Sequence, residues 1–271
     1  MARLLAILAL MLGFATTASS QEDGGLRKLL TTDASRGWQG VGRLDLAGTM
    51  FCTGSLVAPD LVLTAAHCLF DPEDGTPIPA SDILFRAGYR MGQSVAERRA
   101  VEAVGHPDFD PLEDRNTVRV AHDVALIRLS QPIRNISVKP FPIGERPRKG
   151  DEVAVVSYGH DRTESPALQE QCRVMARQSG ALILTCEAEE GSSGAPVFAL
   201  SASGQPEIVS VISALANSAQ RQVTLGTNLH DSLEDLMNLV STPRTDNSAS
   251  GTPRVFSLSG EKESGAKFVR P

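Results

Sequence analysis

The chain has few aromatic residues, no excess of positive charge and no internal hydrophobic run long enough to cross a membrane. Aromatic residues make up 4% of its 271 residues, so a core drawn from the 41% hydrophobic residues is expected to be mostly aliphatic. The formal net charge of -6 provides no excess of positive charge for binding nucleic acid. Beyond the N-terminus no uncharged stretch reaches about 18 residues, which argues against an internal transmembrane helix.

Cysteine is scarce, and no Cys-x-x-Cys pair is present among the four cysteines. This absence argues against a structural metal site, and we expect neither a metal nor a cofactor. Cys172 and Cys186 are equidistant from Ser179, so a hairpin turning there would bring them together. We predict the disulfides Cys172–Cys186 and Cys52–Cys68, with four buried free thiols as the alternative.

The N-terminal residues 1–20 combine one arginine, an apolar run and a series of small residues. This pattern is typical of a secretory signal peptide cleaved before Gln21, with an N-terminal membrane anchor as the alternative. Export out of the reducing cytoplasm agrees with disulfide formation. We therefore expect a secreted or periplasmic protein that does not contact the membrane after signal removal.

Short apolar runs alternate with turn signals along the rest of the chain, which favours an all-β sandwich or barrel. The predicted strands are 41–46, 52–57, 61–63, 83–87, 99–104, 124–129, 152–158, 168–175, 181–186, 196–200, 207–212 and 222–228. A stretch rich in proline and charge separates an N-terminal unit, 21–145, from a C-terminal unit, 146–240. The second unit ends in a helix predicted to pack against it, and residues 241–271 read as a flexible tail.

The most informative segment is 191–196, which reads Gly-Ser-Ser-Gly-Ala-Pro. Its Ser193 is a candidate nucleophile, because the small residues suit a tight turn that exposes the hydroxyl and directs backbone amides to one point. A serine hydroxyl attacks a carbonyl only when a base takes its proton. The segment alone is equally consistent with an ordinary loop.

Two upstream segments supply a candidate base and a candidate carboxylate. The apolar run at 61–63 leads through Thr-Ala-Ala to His67, whose imidazole can accept a proton near neutral pH. A second apolar run follows Asp123, whose carboxylate could fix the tautomer of a facing imidazole. Taken singly, such a histidine is more often a packed core residue and such an aspartate a turn cap.

In the order His, Asp, Ser, the three segments resemble the trypsin/chymotrypsin-like serine peptidases, and their spacings resemble compact bacterial-type secreted members. The matching words are Thr-Ala-Ala-His-Cys at 64–68, Asp-Val-Ala-Leu at 123–126 and the segment at 191–196. The resemblance implies two six-stranded antiparallel β-barrels with a C-terminal helix. It also implies a catalytic triad of His67, Asp123 and Ser193 in the cleft between the barrels.

The same resemblance assigns further roles in catalysis and specificity. The backbone N–H groups of Gly191 and Ser193 would form the oxyanion hole. Glu187, Ser213 and Leu215 would lie at the substrate pocket. One departure is Ser192, which carries no charge where trypsin itself has an acidic residue that captures a new N-terminal amine.

These observations predict a secreted, monomeric serine endopeptidase that forms an acyl-enzyme on Ser193. Its partner would be a protein or peptide substrate and not a nucleic acid. The alternative is a secreted binding module with the same fold and no catalysis. Substrate preference at the residue before the cleaved bond stays open.

Overall fold

The computed structural model describes residues 25–114, 116–218 and 221–241. The predicted signal peptide, and all but the first residue of the predicted tail, lie outside these ranges. None of the described helices is long and apolar enough to span a lipid bilayer.

Strands dominate the described residues, with two α-helices and two short 3-10 turns between them. The strands are β1 (Arg27–Lys28), β2 (Val41–Leu46), β3 (Met50–Ala58), β4 (Leu61–Thr64), β5 (Ile83–Ala87), β6 (Ala96–Gly105), β7 (Ala125–Leu129), β8 (Glu152–Gly159), β9 (Arg162–Gln178), β10 (Ala181–Leu184), β11 (Pro196–Leu200), β12 (Pro206–Ser218) and β13 (Arg221–Gly226). The α-helices are α1 (Thr117–Ala121) and α2 (Leu229–Ser241), and the 3-10 turns are Ala66–Leu69 and Ala80–Asp82.

The first barrel closes six antiparallel strands in the order β2-β3-β4-β7-β6-β5. β5 pairs back with β2, with Phe85 opposite Leu44, and this pairing closes the cylinder. Burial alternates along β5 between fully and partly buried residues, as expected for a strand with one face toward a core. The 3-10 turn that follows β4 lies at one end of this barrel.

The second barrel contains six antiparallel strands in the order β9-β10-β13-β12-β11-β8, and β8 pairs with β9 to close it. β1 joins the same sheet as a seventh strand, with Arg27 opposite Leu168 of β9. Two closed six-stranded antiparallel barrels and a C-terminal helix confirm the predicted fold class.

All twelve predicted strands are present, several of them longer than predicted. β1 and α1 were not predicted. β1 has two exposed basic residues and therefore no apolar pattern. α1 has five residues, too few to display a helical period, although Asn116 caps it by accepting the Arg119 N–H at 2.8 Å.

Helix α2 packs against the second barrel, as predicted, and also against the first. Leu229, Leu236 and Val240 form its buried face. The helix contacts β12 of the second barrel and β6 and β7 of the first. At its end the Arg128 guanidinium of β7 donates to the Val240 carbonyl at 3.2 Å. The helix therefore links the two barrels.

The core is mainly aliphatic, as the composition predicts, and three aromatic residues pack together where the barrels meet. Trp38 precedes β2, Phe141 lies in the segment that joins the barrels, and Phe198 lies in β11. The Phe198 ring is 5.1 Å from Trp38 and 4.8 Å from Phe141, measured between ring centroids. Such tilted and edge-on ring pairs add to the burial of apolar area and hold the barrels together.

Both predicted disulfides are present. Cys52 in β3 is bonded to Cys68 in the 3-10 turn that also contains His67. Cys172 in β9 is bonded to Cys186, two residues after β10 ends. Each barrel therefore has one covalent cross-link beside a segment that contributes to the cleft described below.

Candidate active site

His67 lies in the 3-10 turn directly after β4. The strand is fully buried, and Ala65 and Ala66 are inaccessible to solvent, so only small side chains fit between the strand and the turn. The disulfide at Cys68 ties the turn to β3. The His67 side chain is 29% exposed and lines a cleft, so a molecule that enters the cleft can reach the imidazole.

The pairing of β4 with β7 brings Asp123 to His67. Thr64, the last residue of β4, is opposite Ala125, the first residue of β7. His67 follows β4 and Asp123 precedes β7, so both lie at the same end of this strand pair. The carboxylate contacts His67 twice. Oδ2 lies 2.7 Å from Nδ1, and Oδ1 accepts the backbone N–H at 2.8 Å. This leaves Nε2 as the nitrogen available for proton transfer in the cleft.

Asp123 is a buried carboxylate held by donors from both barrels. Its side chain is 1% exposed, and Ser213 of β12 donates its hydroxyl to Oδ2 at 2.5 Å. Burial raises the pKa of Asp123, but the His67 charge and the hydrogen bonds from His67 and Ser213 outweigh burial. The pKa therefore lies below its usual range, and the carboxylate stays ionised at neutral pH.

Ser193 lies in a tight loop between β10 and β11 that requires glycine on both sides. Gly191 and Gly194 have φ values of +91° and +79°, in the left-handed region that favours glycine. A Cβ at Gly191 would lie 2.3 Å from the Phe51 ring, and one at Gly194 would lie 2.1 Å from Thr64 Oγ1. Ala195 has no positive φ, so this alanine fits the loop without backbone strain.

The backbone N–H groups of this loop divide into bonded and unbonded ones. Those of Ser192, Gly194 and Ala195 donate to carbonyl oxygens within the protein at 2.8–3.0 Å. Among the described residues, no acceptor is present for the N–H groups of Gly191 and Ser193. Two such donors, one of them on Ser193 itself, can hold a negatively charged oxygen.

His67 and Ser193 face the same cleft, which has a volume of about 440 Å³. It is lined by His67, Phe70, Asp71, Pro72, Pro111, Glu113, Arg119, Ala188, Glu189, Glu190, Ser193, Ile212, Ser213, Ala214 and Leu215. Within the described part of the chain, no hydrogen bond joins His67 to Ser193. Such bonds are often long in ligand-free sites and shorten when substrate binds.

Comparison with known proteins agrees with this architecture. A family model for trypsin matches residues 31–232. The chain belongs to the trypsin family. A trypsin of Sarcophaga bullata is 30% identical over 162 residues, 59% of this chain and 59% of that protein. Mannan-binding lectin serine protease 1 of Homo sapiens is 34% identical over 122 residues, 41% of this chain and 17% of its own length.

A third relative shows that similarity in this family does not guarantee catalysis. Inactive serine protease scarface of Drosophila melanogaster is 26% identical over 150 residues, 53% of this chain and 21% of that protein. The chain spans less than two thirds of the length of each of these three relatives. Activity and substrate therefore have to be argued from the site itself.

The three expected specificity residues of this trypsin-family chain lie in different surroundings. Ser213 and Leu215 line the cleft, and Ser213 also binds Asp123. Glu187 is exposed and is not among the described residues that line the cleft. Glu189 and Glu190, which sequence reasoning missed, line it instead. The path of the chain between Cys186 and Ser193 decides which carboxylate faces the cleft, and residue offsets taken from the family do not predict it.

A buried arginine lies beneath the Ser193 loop and was also missed from the sequence. The Arg162 side chain is 2% exposed, and its Nη2 is 3.1 Å from the hydroxyls of Ser157 and Ser192. Its Nη1 pairs with the carboxylates of Asp161 and Glu189. Burial and the hydrogen bond with Asp161 raise the pKa of Glu189, and the same hydrogen bond lowers the pKa of Asp161.

His106 and His122 form a stacked pair close to Asp123, with ring centroids 4.8 Å apart and an angle of 10° between the planes. Together with Asp108 they could offer three ligand atoms to a metal ion. The rings are nearly parallel, however, so their in-plane lone pairs do not converge on one point. His106 Nδ1 also accepts the Asp108 N–H at 3.2 Å. The pair is therefore better described as packing than as a metal centre.

Proposed function

We propose that this chain is a serine endopeptidase in which Ser193 is the nucleophile, His67 the general base and Asp123 the group that orients the base. The observation that supports this most directly is the buried Asp123 carboxylate bonded to His67 Nδ1, with Nε2 available in the cleft that Ser193 also lines. This arrangement holds the imidazole in the tautomer that accepts a proton at Nε2.

The first half of the reaction forms an acyl-enzyme. Ser193 Oγ attacks the substrate carbonyl carbon while its proton passes to His67 Nε2, and the carbonyl oxygen becomes an oxyanion. The C–N bond then breaks, and His67 returns the proton to the leaving amine. Asp123 stays ionised throughout and stabilises the imidazolium, in agreement with its lowered pKa.

The second half releases the acyl group. His67 takes a proton from water, the resulting hydroxide attacks the ester carbon, and Ser193 leaves with a proton from His67. In both halves the N–H groups of Gly191 and Ser193 would hold the oxyanion. One such donor contributes about 3 kcal/mol to transition-state stabilisation, so the pair would provide a large share of the acceleration.

The proposed substrate is a protein or peptide chain, and the proposed location is outside the cytoplasm, in a secreted or periplasmic compartment. Both disulfides support this location, because such bonds persist in oxidising compartments. The N-terminal segment 1–20, with its signal-peptide pattern, agrees with it.

A fluorophosphonate probe tests the proposal, because it phosphonylates a serine only when a base and an oxyanion hole act together. We expect labelling of the purified chain at Ser193, loss of labelling in Ser193→Ala, and unchanged labelling in Ser81→Ala, an exposed control. Asp123→Asn should lower kcat for peptide cleavage by about 10⁴-fold. A folded chain that neither labels nor cleaves a peptide library would instead favour the catalytically silent binding module.

A further inference from the structure

Arg162 is a permanently charged group placed where water cannot solvate it. Its side chain is 2% exposed at the start of β9. Removing a guanidinium from water is strongly unfavourable unless protein groups satisfy its donors and its charge. The partners of Arg162 therefore identify what the buried charge holds in place.

Those partners belong to two different parts of the second barrel. On β8, the Ser157 carbonyl accepts from Nε at 3.4 Å, and the Ser157 hydroxyl lies 3.1 Å from Nη2. On the loop before Ser193, the Ser192 hydroxyl lies 3.1 Å from Nη2, and the Glu189 carboxylate pairs with Nη1. One cation thus fastens the Ser193 loop to the wall of the barrel.

Ser192 connects Arg162 with the candidate oxyanion hole, because it lies between the N–H groups of Gly191 and Ser193, which have no protein acceptor among the described residues. Its hydroxyl donates to the Tyr158 carbonyl at 3.1 Å and accepts from the Glu189 N–H at 3.2 Å and from Arg162. These three bonds use the full capacity of a hydroxyl, which has one donor and two acceptor lone pairs. The orientation of the peptide units on either side of Ser192 therefore depends on the guanidinium.

The space around the guanidinium is also fitted to it. A Cβ at Gly159 would lie 2.6 Å from Arg162 Cζ and would overlap the Glu189 carboxylate, so only glycine leaves room for the ion pair. Ser192 is uncharged, and the carboxyl groups that pair with Arg162 are those of Glu189 and Asp161. Glu189 also lines the cleft, so the network reaches from the buried cation to the site surface.

We propose that Arg162 is a positioning residue that holds loop 189–193 in the conformation in which the amides of Gly191 and Ser193 bind the oxyanion. This inference rests on the proposed function, since it concerns the same site. Loss of Arg162 would leave His67 and Asp123 in place in the first barrel and would misdirect the two amides. Transition-state stabilisation would then fall more than substrate binding.

The test compares Arg162→Met and Arg162→Lys with Arg173→Met. Arg173 lies on the same strand, but it is exposed and pairs with an exposed Glu152. We expect Arg162→Met to lower kcat and the fluorophosphonate labelling rate by about 10- to 100-fold, as for small misplacements of reacting groups, with KM changed less than about threefold. Arg162→Lys should recover part of this loss, and Arg173→Met should match the unmodified chain.

A second pair of variants keeps the proposal testable if Arg162→Met does not fold. Ser192→Ala removes one of the two links from the guanidinium to the loop and keeps the Glu189 pair, whereas Ser157→Ala removes a side-chain link to β8. We expect kcat to fall about tenfold in Ser192→Ala and to stay within twofold in Ser157→Ala. Equal kcat per titrated active site in the unmodified chain, Ser192→Ala and any folded Arg162→Met, whatever their melting temperatures, would reduce the network to a structural role. Absence of labelling in the unmodified chain would instead overturn the proposed function.

Discussion

Ser213 and Asp123 are joined across the two barrels: the Ser213 hydroxyl on β12 donates to Asp123 Oδ2, the oxygen that also faces His67 Nδ1. The carboxylate comes from the first barrel and its third donor from the second. The orientation of the imidazole therefore depends on how the barrels are packed against each other. The aromatic contacts of Phe198 and the two-sided packing of α2 support this arrangement.

Ser213→Ala should lower kcat by about tenfold, because it removes a hydrogen bond to a charged, buried acceptor and loosens the Asp123 carboxylate. The measurement is kcat on a peptide substrate per titrated active site. Ser210→Ala is the matched control. Ser210 lies on the same strand, is also buried and donates to the Thr227 carbonyl at 2.9 Å. It should lose stability but keep kcat, and equal kcat losses in both variants would contradict the prediction.

Gly194→Ala should destabilise the fold by more than about 2 kcal/mol and abolish labelling of Ser193. The new Cβ would lie 2.1 Å from Thr64 Oγ1 and 2.2 Å from the Thr53 carbonyl oxygen, and φ is +79°. Urea unfolding measures the change. Gly204→Ala separates strain from collision, since Gly204 has φ +76° with no atom within 4 Å of its Cβ position. The control should cost about 1 kcal/mol and keep full labelling. Similar losses in the two variants would argue against a steric cause.

Much of the fold follows from the sequence because it depends on local patterns. Apolar runs bounded by turn signals predict all six strands of each barrel. The meeting of His67 and Asp123 follows from the β4–β7 pairing, in which Thr64 is opposite Ala125. β4 and β7 are far apart in the sequence, so local patterns do not predict that they pair. Only the family resemblance predicted that His67 and Asp123 would meet. The contact of α2 with the first barrel depends on the same packing and was missed.

The Arg162 network illustrates what local patterns do not reveal. An arginine in a polar segment normally lies on the surface, as Arg173 does. Nothing in the sequence near Arg162 distinguishes it from Arg173. Ser157 lies beside Arg162 through the β8–β9 hairpin, in which Gly159 is opposite Arg162, whereas Glu189 and Ser192 reach it from the loop between β10 and β11. The position of Glu189 in the cleft depends on the same loop and was not recognised, and Glu187 was chosen from family offsets.

Replacing each cysteine pair by alanine should lower the free energy of unfolding by about 3 kcal/mol, because each disulfide closes a loop of similar length. The effects on activity should differ. Loss of Cys52–Cys68 frees the turn that holds His67, so kcat per titrated site should fall together with stability. Loss of Cys172–Cys186 leaves that turn intact and should lower kcat less. Urea unfolding and active-site titration measure the two effects, and the reverse order of kcat losses would refute the role assigned to the first disulfide.

The stability of the fold should decrease as the pH falls below about 6.5, partly because of His106. Burial and the neighbouring His122 lower the pKa of His106, against the opposing effects of Asp108 and Asp235. Between the folded pKa and the ordinary value near 6.5, the unfolded chain binds more protons than the folded one. The free energy of unfolding therefore decreases as the pH decreases through that window, and it levels off below it.

His106→Asn keeps an acceptor for the Asp108 N–H and removes the titration. Its urea midpoint should change less between pH 7 and pH 5 than that of the unmodified chain. His160→Asn, at an exposed turn, should retain the original slope. An unchanged slope in His106→Asn would assign the acid sensitivity to other groups.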